Sequence, residues 1–503
     1  MPRQLITALI LLGVFVFTIF AYSSGGYILL LLGIVVPALL VFGTRLDLVL
    51  VAVVALSLSS LTIPGMPVDL YLYQVMMAFF VIMAIARYSI QKGRHPKPPG
   101  RLWAQAFLAV LIMVIVFRGM GFRMLGGAKA GGAVYVQVLI TILFYLLSGM
   151  VILPEKKLRV SVILMALLTL APFLLQLVVI LSGGKIWQPL LFVRMASGLR
   201  ETFIAYGSGS VATRWTILAS LSGVYLVAAV LWPFRKPYLK RYALFFGLSL
   251  IVSVMSGYRH TTLIVTTFIV LFIMIQTRRP LLIAALLLAT GIVGILILIP
   301  IVDHLPFAAQ RVLTMVPGVH VSGVANIQAS YTMEWRRLLW NMAIADMKQY
   351  LLIGKGYAYD YATYGIKMMM PRYSQADEVR AFLITGDLHQ GTLDLLYNLG
   401  IPGFVVFLGW VIKEVVWHGR RQAQEWQSVS MRRYHLVFLL LMFVNAVQAF
   451  LAGISRNFLV TLPFQMAILH ILVSSDEARR APSPPLVPVR TESIPRVLHP
   501  MSP

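Results

Sequence analysis

Apolar residues run almost unbroken through stretches near 5–21, 27–43, 46–63, 70–87, 102–117, 133–153, 158–181, 211–232, 242–257, 261–276, 281–301, 394–416, 436–452 and 456–474. A helix crossing a bilayer needs about 20 such residues, so each stretch predicts one span. The pattern predicts an all-α polytopic membrane protein with about 12–14 transmembrane helices. Several stretches are short enough that one or two could be re-entrant or differently tilted. The first follows "MPRQ" and is longer than the apolar part of a typical signal peptide, so a retained anchor is expected there.

Between the eleventh and twelfth stretches the pattern changes period. In "EWRRLLWNMAIADMKQYLL", residues 334–352, Arg337, Asn341 and Lys348 share one helical face. Leu338, Leu339, Met342, Ala345 and Tyr350 fall on the other. This spacing predicts an amphipathic helix, lying along a membrane surface or capping the bundle. "GKG" at 354–356 ends it. The expected organisation is a first part of the bundle at 1–301, a large loop region at 302–393, a last part of the bundle at 394–475 and a tail at 476–503. The tail's "APSPPLVPVR" is Pro-rich and expected to be disordered. No internal repeat is evident.

Composition agrees with the pattern: 59% of residues are hydrophobic and 12% charged, leaving too little polar side chain to cover a soluble domain. A net charge of +25 would suggest nucleic acid in a soluble protein. In a membrane protein it is first a topology signal. The 42 Lys and Arg favour loops such as "YSIQKGRHPKPPGR" and "PFRKPYLKR", which places those loops and both termini in the cytoplasm. Residues 302–393 then lie outside, and nucleic acid is not an expected partner. With no Cys, disulfides and thiolate metal sites are excluded.

Basic residues in exterior loops run against that rule. Arg118, Arg123 and Lys129 occupy one such loop, Lys185, Arg194, Arg200 and Arg214 the next, and Arg259 the tight turn "SGYRHTT". Guanidinium groups at a low-dielectric rim suit an anion, because their fork binds phosphate in bidentate fashion and keeps its charge. Snorkelling to lipid headgroups is the plainer alternative. His389, in "GDLHQGTLDLLYNLGIPG", stands at the lip of a span and could exchange protons near neutral pH; alternatively it caps the helix beginning near Thr392. "GYAYDYATYG" offers Tyr357, Tyr359 and Tyr361 to the apolar faces of sugar rings, or forms an interfacial aromatic belt. A P-loop, HExxH, zinc spacing, nucleophile elbow and DxD pair are all missing. Neither a metal nor a cofactor is expected, so arginines would have to stabilise any anionic leaving group.

Taken together, these motifs resemble the signature region of the O-antigen ligase and O-antigen polymerase superfamily. Its elements are present as Arg336, Trp340, Gly354 with Gly356, His389, and Gly400 with Gly403. "SGYRHTTL" resembles the family's Ser-x-x-Arg turn and puts Arg259 on its arginine, while "RMASGLRETFIAYGSG" resembles the upstream arginine segment and points to Arg194, Arg200 or Arg214. Gln390 follows the His where Asn is common, and Tyr258 and His260 flank Arg259 where small residues are usual.

The resemblance implies glycosyl transfer at the periplasmic face of a bacterial inner membrane. A glycan linked through pyrophosphate to a polyprenyl carrier passes to an acceptor hydroxyl. The acceptor is lipid A–core for a ligase or another repeat unit for a polymerase. His389 and Arg259 would be catalytic, with Arg194, Arg200, Arg214 and Arg336 joining Arg259 around the pyrophosphate and the three tyrosines holding glycan. The alternative class is a polysaccharide or lipid-carrier flippase, for which charged groups within the spans would be expected.

Overall fold

A computed structural model describes residues 45–57, 71–90, 96–121, 129–170, 216–230, 239–277, 279–316, 318–360, 375–452 and 457–480. Its first helices are α1 (Leu46–Leu56), α2 (Leu72–Ile90), α3 (Arg101–Arg118), α4 (Gly132–Leu147), α5 (Glu155–Thr169), α6 (Thr216–Val230), α7 (Leu239–Met255), α8 (Arg259–Gln276) and α9 (Pro280–Leu298). The loop region follows, with a 3-10 turn at Ile299–His304, α10 (Phe307–Leu313), α11 (Gly323–Met347), a 3-10 turn at Lys348–Tyr350 and α12 (Gln375–Thr385). The last helices are α13 (Gly391–Ala423), α14 (Val429–Val447) with a π turn at Gln448–Ala452, and α15 (Phe458–Arg480).

The architecture is the predicted all-α polytopic one. The apolar runs at 5–21 and 27–43 lie outside the described residues; each of the other twelve contains a helix. Among the described residues, six helices are long and apolar enough to cross a membrane: α3, α4 with its following turn, α8, α13, α14 with its π turn, and α15. Ile112 and Val116 of α3, Ile251 of α7 and Leu296 of α9 stay exposed on the outside of the bundle. Such a surface suits lipid tails rather than water. The β structure described is one antiparallel pairing, Lys129–Ala130 with Tyr359–Asp360.

Two apolar clusters meet at α14. One joins α1–α5 to α13 and α15 through residues such as Phe80, Phe107, Phe144 and Trp410. The other joins α6, α7 and α8 through Tyr242, Phe246, Phe268 and Phe272. α15 runs through the interior and is buried along most of its length.

α11 begins at Gly323, well before the amphipathic pattern starts at 334. Its packing stripe is Leu339, Ala343 and Met347, one residue per turn, against Val379 of α12 and Leu388 and Tyr397 around the start of α13. Ala345, assigned by the pattern to the apolar face, is exposed instead, while Arg337, Asn341 and Lys348 are exposed as predicted. This packing is compatible with both placements expected for the helix.

Candidate active site

The floor of the site is a turn plugged into a broken helix. α13 is interrupted at Gly400, whose backbone (φ 72°, ψ −178°) leaves the helical region. Pro402 has no N–H to offer the Asn398 carbonyl. The 351–356 segment supplies the missing partners. Lys355 N donates to Tyr397 O at 2.8 Å, Gly356 N to Asn398 O at 2.9 Å, and Ile401 N to Leu351 O at 2.8 Å. Backbones approach so closely that a Cβ on Gly354 would lie 2.1 Å from Asn398 O. "GKG" and "LGIPG", far apart in sequence, are two halves of one backbone joint.

Three side chains lock that joint. Arg118, at the end of α3, donates to the carbonyls of Gly354 (2.8 Å) and Ile353 (3.0 Å) and lies over the Tyr350 ring. Lys355 donates to Ile384 O at the end of α12 (2.6 Å) and faces the Tyr397 ring. Burial pulls its pKa down to about 8, against the opposing attraction of Asp346 and Asp394. Asn398 donates to Gly386 O at 2.7 Å, fixing the glycine that begins the His389 loop.

His389 is the one non-glycine residue with positive φ (52°) among the described residues. The left-handed region costs an L residue about 1–2 kcal/mol, and such conformations persist where the surroundings over-determine them. Here the Trp335 and Phe382 rings stand 5.6 and 5.5 Å from the imidazole. The preceding Leu388 is fully buried, its carbonyl accepting from Trp340 Nε1 at 3.0 Å. Nδ1 faces Asp387 Oδ1 at 3.7 Å, longer than a hydrogen bond, and the side chain keeps 29% of its surface exposed, enough for a ligand to reach it.

The capping alternative for His389 is not what the structure adopts. Gln390 is the N-cap of α13, its side-chain oxygen accepting from Leu393 N. The Gln390 amide also donates to Phe450 O in the π turn at 3.1 Å, as does the Thr392 hydroxyl.

Arg259 is the first residue of α8, after a turn in which Gly257 has φ 73°. Its Nε donates to Arg311 O (3.1 Å) and its Nη2 to Thr314 Oγ1 (2.7 Å), which docks the guanidinium on the end of α10. His260 O accepts from Gln448 Nε2 at 3.2 Å. The π turn therefore ties the Arg259 end of α8 and the His389 end of α13 into one rim. Arg311, almost fully buried in α10 beneath Arg259, escaped the sequence reading. Its trace in the sequence, an arginine within "FAAQRVL", does not by itself predict burial.

Arg336 is half-buried on α11, beside Trp335 and one turn before Trp340. The tyrosine strip divides. Tyr357 is fully enclosed, its N–H donating to the Tyr135 hydroxyl and its own hydroxyl to Asp394 Oδ2, so its ring offers no face to a sugar. Tyr359 is half-exposed. Arg194, Arg200, Arg214 and Tyr361 lie outside the described residues. No three His, Asp or Glu side chains gather as a metal site among the described residues.

Charged groups do occur within the spans, at the opposite end of the bundle. Glu414 accepts from Gly100 N (2.7 Å) and Tyr145 Oη (2.6 Å), and lies 3.2 Å from His418 Nε2; His418 meets His435 at 2.9 Å. All of these side chains are buried and in contact with one another.

The family model described as O-antigen ligase matches residues 212–408, a segment containing Arg259, Arg336, the 354–356 turn, His389 and Gly400. A comparison with curated proteins finds no match. The segment that carries the arginine turn, the broken-helix joint and His389 is thus the part of the chain that is similar to the O-antigen ligase family.

Proposed function

We propose that this protein transfers a glycan from a polyprenyl-pyrophosphate carrier to an acceptor hydroxyl, at the periplasmic face of a bacterial inner membrane and without a metal ion. The ligase reaction, with lipid A–core as acceptor, stands first; the polymerase reaction, with a second repeat unit as acceptor, uses the same chemistry. The observation that carries the reading is His389, held in a strained backbone conformation between two aromatic rings on the same rim as Arg259.

With Nδ1 turned toward Asp387, proton acceptance falls to Nε2 of His389. The acceptor oxygen gives up its proton there as it bonds to the anomeric carbon, and the bond from that carbon to the pyrophosphate oxygen breaks. Asp387 stabilises the imidazolium that forms. Negative charge appears on the departing pyrophosphate. Arg259, oriented in advance by its two bonds to α10, meets it, with Arg336 and with Arg194, Arg200 and Arg214. With Tyr357 enclosed, Tyr359 and Tyr361 are the tyrosines that stack on the glycan. Against the flippase reading stands the engagement of Glu414, His418 and His435, charged or titratable groups within the described spans, with one another.

His389→Ala should lower glycan transfer about 10²–10⁴-fold, the usual contribution of a positioned general base, with membrane insertion unchanged. Arg259→Ala should abolish transfer, and Arg259→Lys should not restore it, since an ammonium lacks the bidentate fork. The assay resolves carrier-linked glycan and surface glycolipid by gel. Long polymer stranded on the carrier indicates the ligase, and single repeats on the core indicate the polymerase. Full activity in both alanine variants would refute the assignment.

A further inference from the structure

At the end of the bundle opposite His389, α7, α8, α13 and α14 enclose a cavity of about 510 Å³. Its inner wall is apolar and fully packed behind, with Phe272 of α8 and Leu436 of α14. Its outer edge is cationic, with Arg432 exposed and Arg433 half-exposed in the first turns of α14. No Asp or Glu lines it among the described residues. Lys240 and Arg241 at the start of α7 and Arg279 just after α8 add positive charge at the same end. The wall is also braced. Gln422, which lines the cavity, bonds to His435 at 2.7 Å, and His435 joins the buried His418–Glu414 pair.

We propose that this cavity binds an anionic phospholipid from the adjoining leaflet, its phosphodiester on Arg432 and Arg433 and its acyl chain along Phe272 and Leu436. A free anion would leave the apolar wall unused, and a zwitterionic lipid would set its own cation against the two arginines. Paired guanidinium groups suit a phosphodiester, and basic pockets between membrane helices take anionic headgroups. The site is separate from the transfer rim. α14 runs from Arg432 to the π turn beside Gln390, and at 1.5 Å per residue that is about 25 Å.

The test is native mass spectrometry of the full-length protein in detergent, titrated with phosphatidylglycerol, phosphatidylcholine or inorganic phosphate. Phosphatidylglycerol should be retained at least about fivefold over phosphatidylcholine, the difference expected from one headgroup-facing arginine or more. The Arg432→Gln/Arg433→Gln double variant should lose that preference. Gly419→Leu keeps the test open if the double variant misfolds. Gly419 lines the cavity, and nothing lies within 4 Å of where its Cβ would be, so a side chain can start there and project into the cavity. It should lower bound phosphatidylglycerol about fivefold or more, while Arg101→Gln, elsewhere at the same end, should not. Equal retention of both lipids, wild-type binding in Gly419→Leu, or displacement of phosphatidylglycerol by inorganic phosphate would each overturn the proposal.

Discussion

At Gly356 a Cβ would stand 2.6 Å from the Tyr135 hydroxyl and 3.0 Å from Arg118 Cβ, on a backbone with φ 79°. Both the space and the conformation exclude a side chain, so Gly356→Ala should cost about 1–3 kcal/mol. Gly419→Ala, in a helix with open space around it, should be neutral or stabilising by up to about 1 kcal/mol. Thermal unfolding in detergent compares the two, and equal losses would refute the packing account. Lys355 adds a pH dependence. Its pKa is about 8 in the folded chain and about 10.4 when unfolded, so between these values the unfolded state binds more protons and stability rises with pH. Below about pH 8 the cost of burying the ammonium is present in full. The stability difference between wild type and Lys355→Met should therefore shift in favour of wild type as pH rises from 8 to 10.5. A constant difference across that range would show that the ammonium is not desolvated. The positions of His389 and Arg259 at helix ends were legible in the sequence, as polar residues bordering apolar runs. Arg311 was not, because a single arginine in a short apolar segment has no periodicity to betray its burial.

The elements that position these residues are defined by their ends. α13 starts at Gly391 because Gln390 caps it, and the same side chain reaches the π turn after α14. The Gln390 amide thus makes two bonds at once, its nitrogen to Phe450 O and its oxygen at the cap. Gln390→Ala should cost about 1 kcal/mol as a lost cap, read as a lower unfolding temperature. It should also lower glycan transfer by loosening the His389 backbone. Full activity at reduced stability would confine Gln390 to capping. α11 shows what periodicity can and cannot do. It found the helix and its solvent face, but the packing stripe runs through Ala343 and Met347 rather than Ala345. An apolar face of Leu, Met and Ala is wide enough to rotate, and only the shape of α12 and α13 selects the angle.

Over the whole molecule, polar and charged groups gather at two ends of an apolar bundle. One end holds the 354–356 turn, Arg259, His389 and the π turn; the other holds Glu414, His418 and the arginines of α14. The absence of Cys makes the sidedness testable by single substitutions at exposed positions. Asn341→Cys on α11 should react with a membrane-impermeant maleimide in spheroplasts, and Glu425→Cys, in the connection from α13 to α14, only after lysis. Labelling of both from the same side would overturn the topology. The sequence by itself determined the fold class, the approximate positions of the apolar helices, the amphipathic character of α11 and the placing of His389 and Arg259 at helix ends, because run length, periodicity and charge balance are local properties that sum along the chain. Only the tertiary structure decided that the 354–356 turn completes the broken α13, that Arg259 docks on α10, that Tyr357 is buried, and that His389 is strained between Trp335 and Phe382. Each of these depends on backbone groups and rings meeting across tens to hundreds of residues, and a one-dimensional pattern records which face a residue takes but not what it will face.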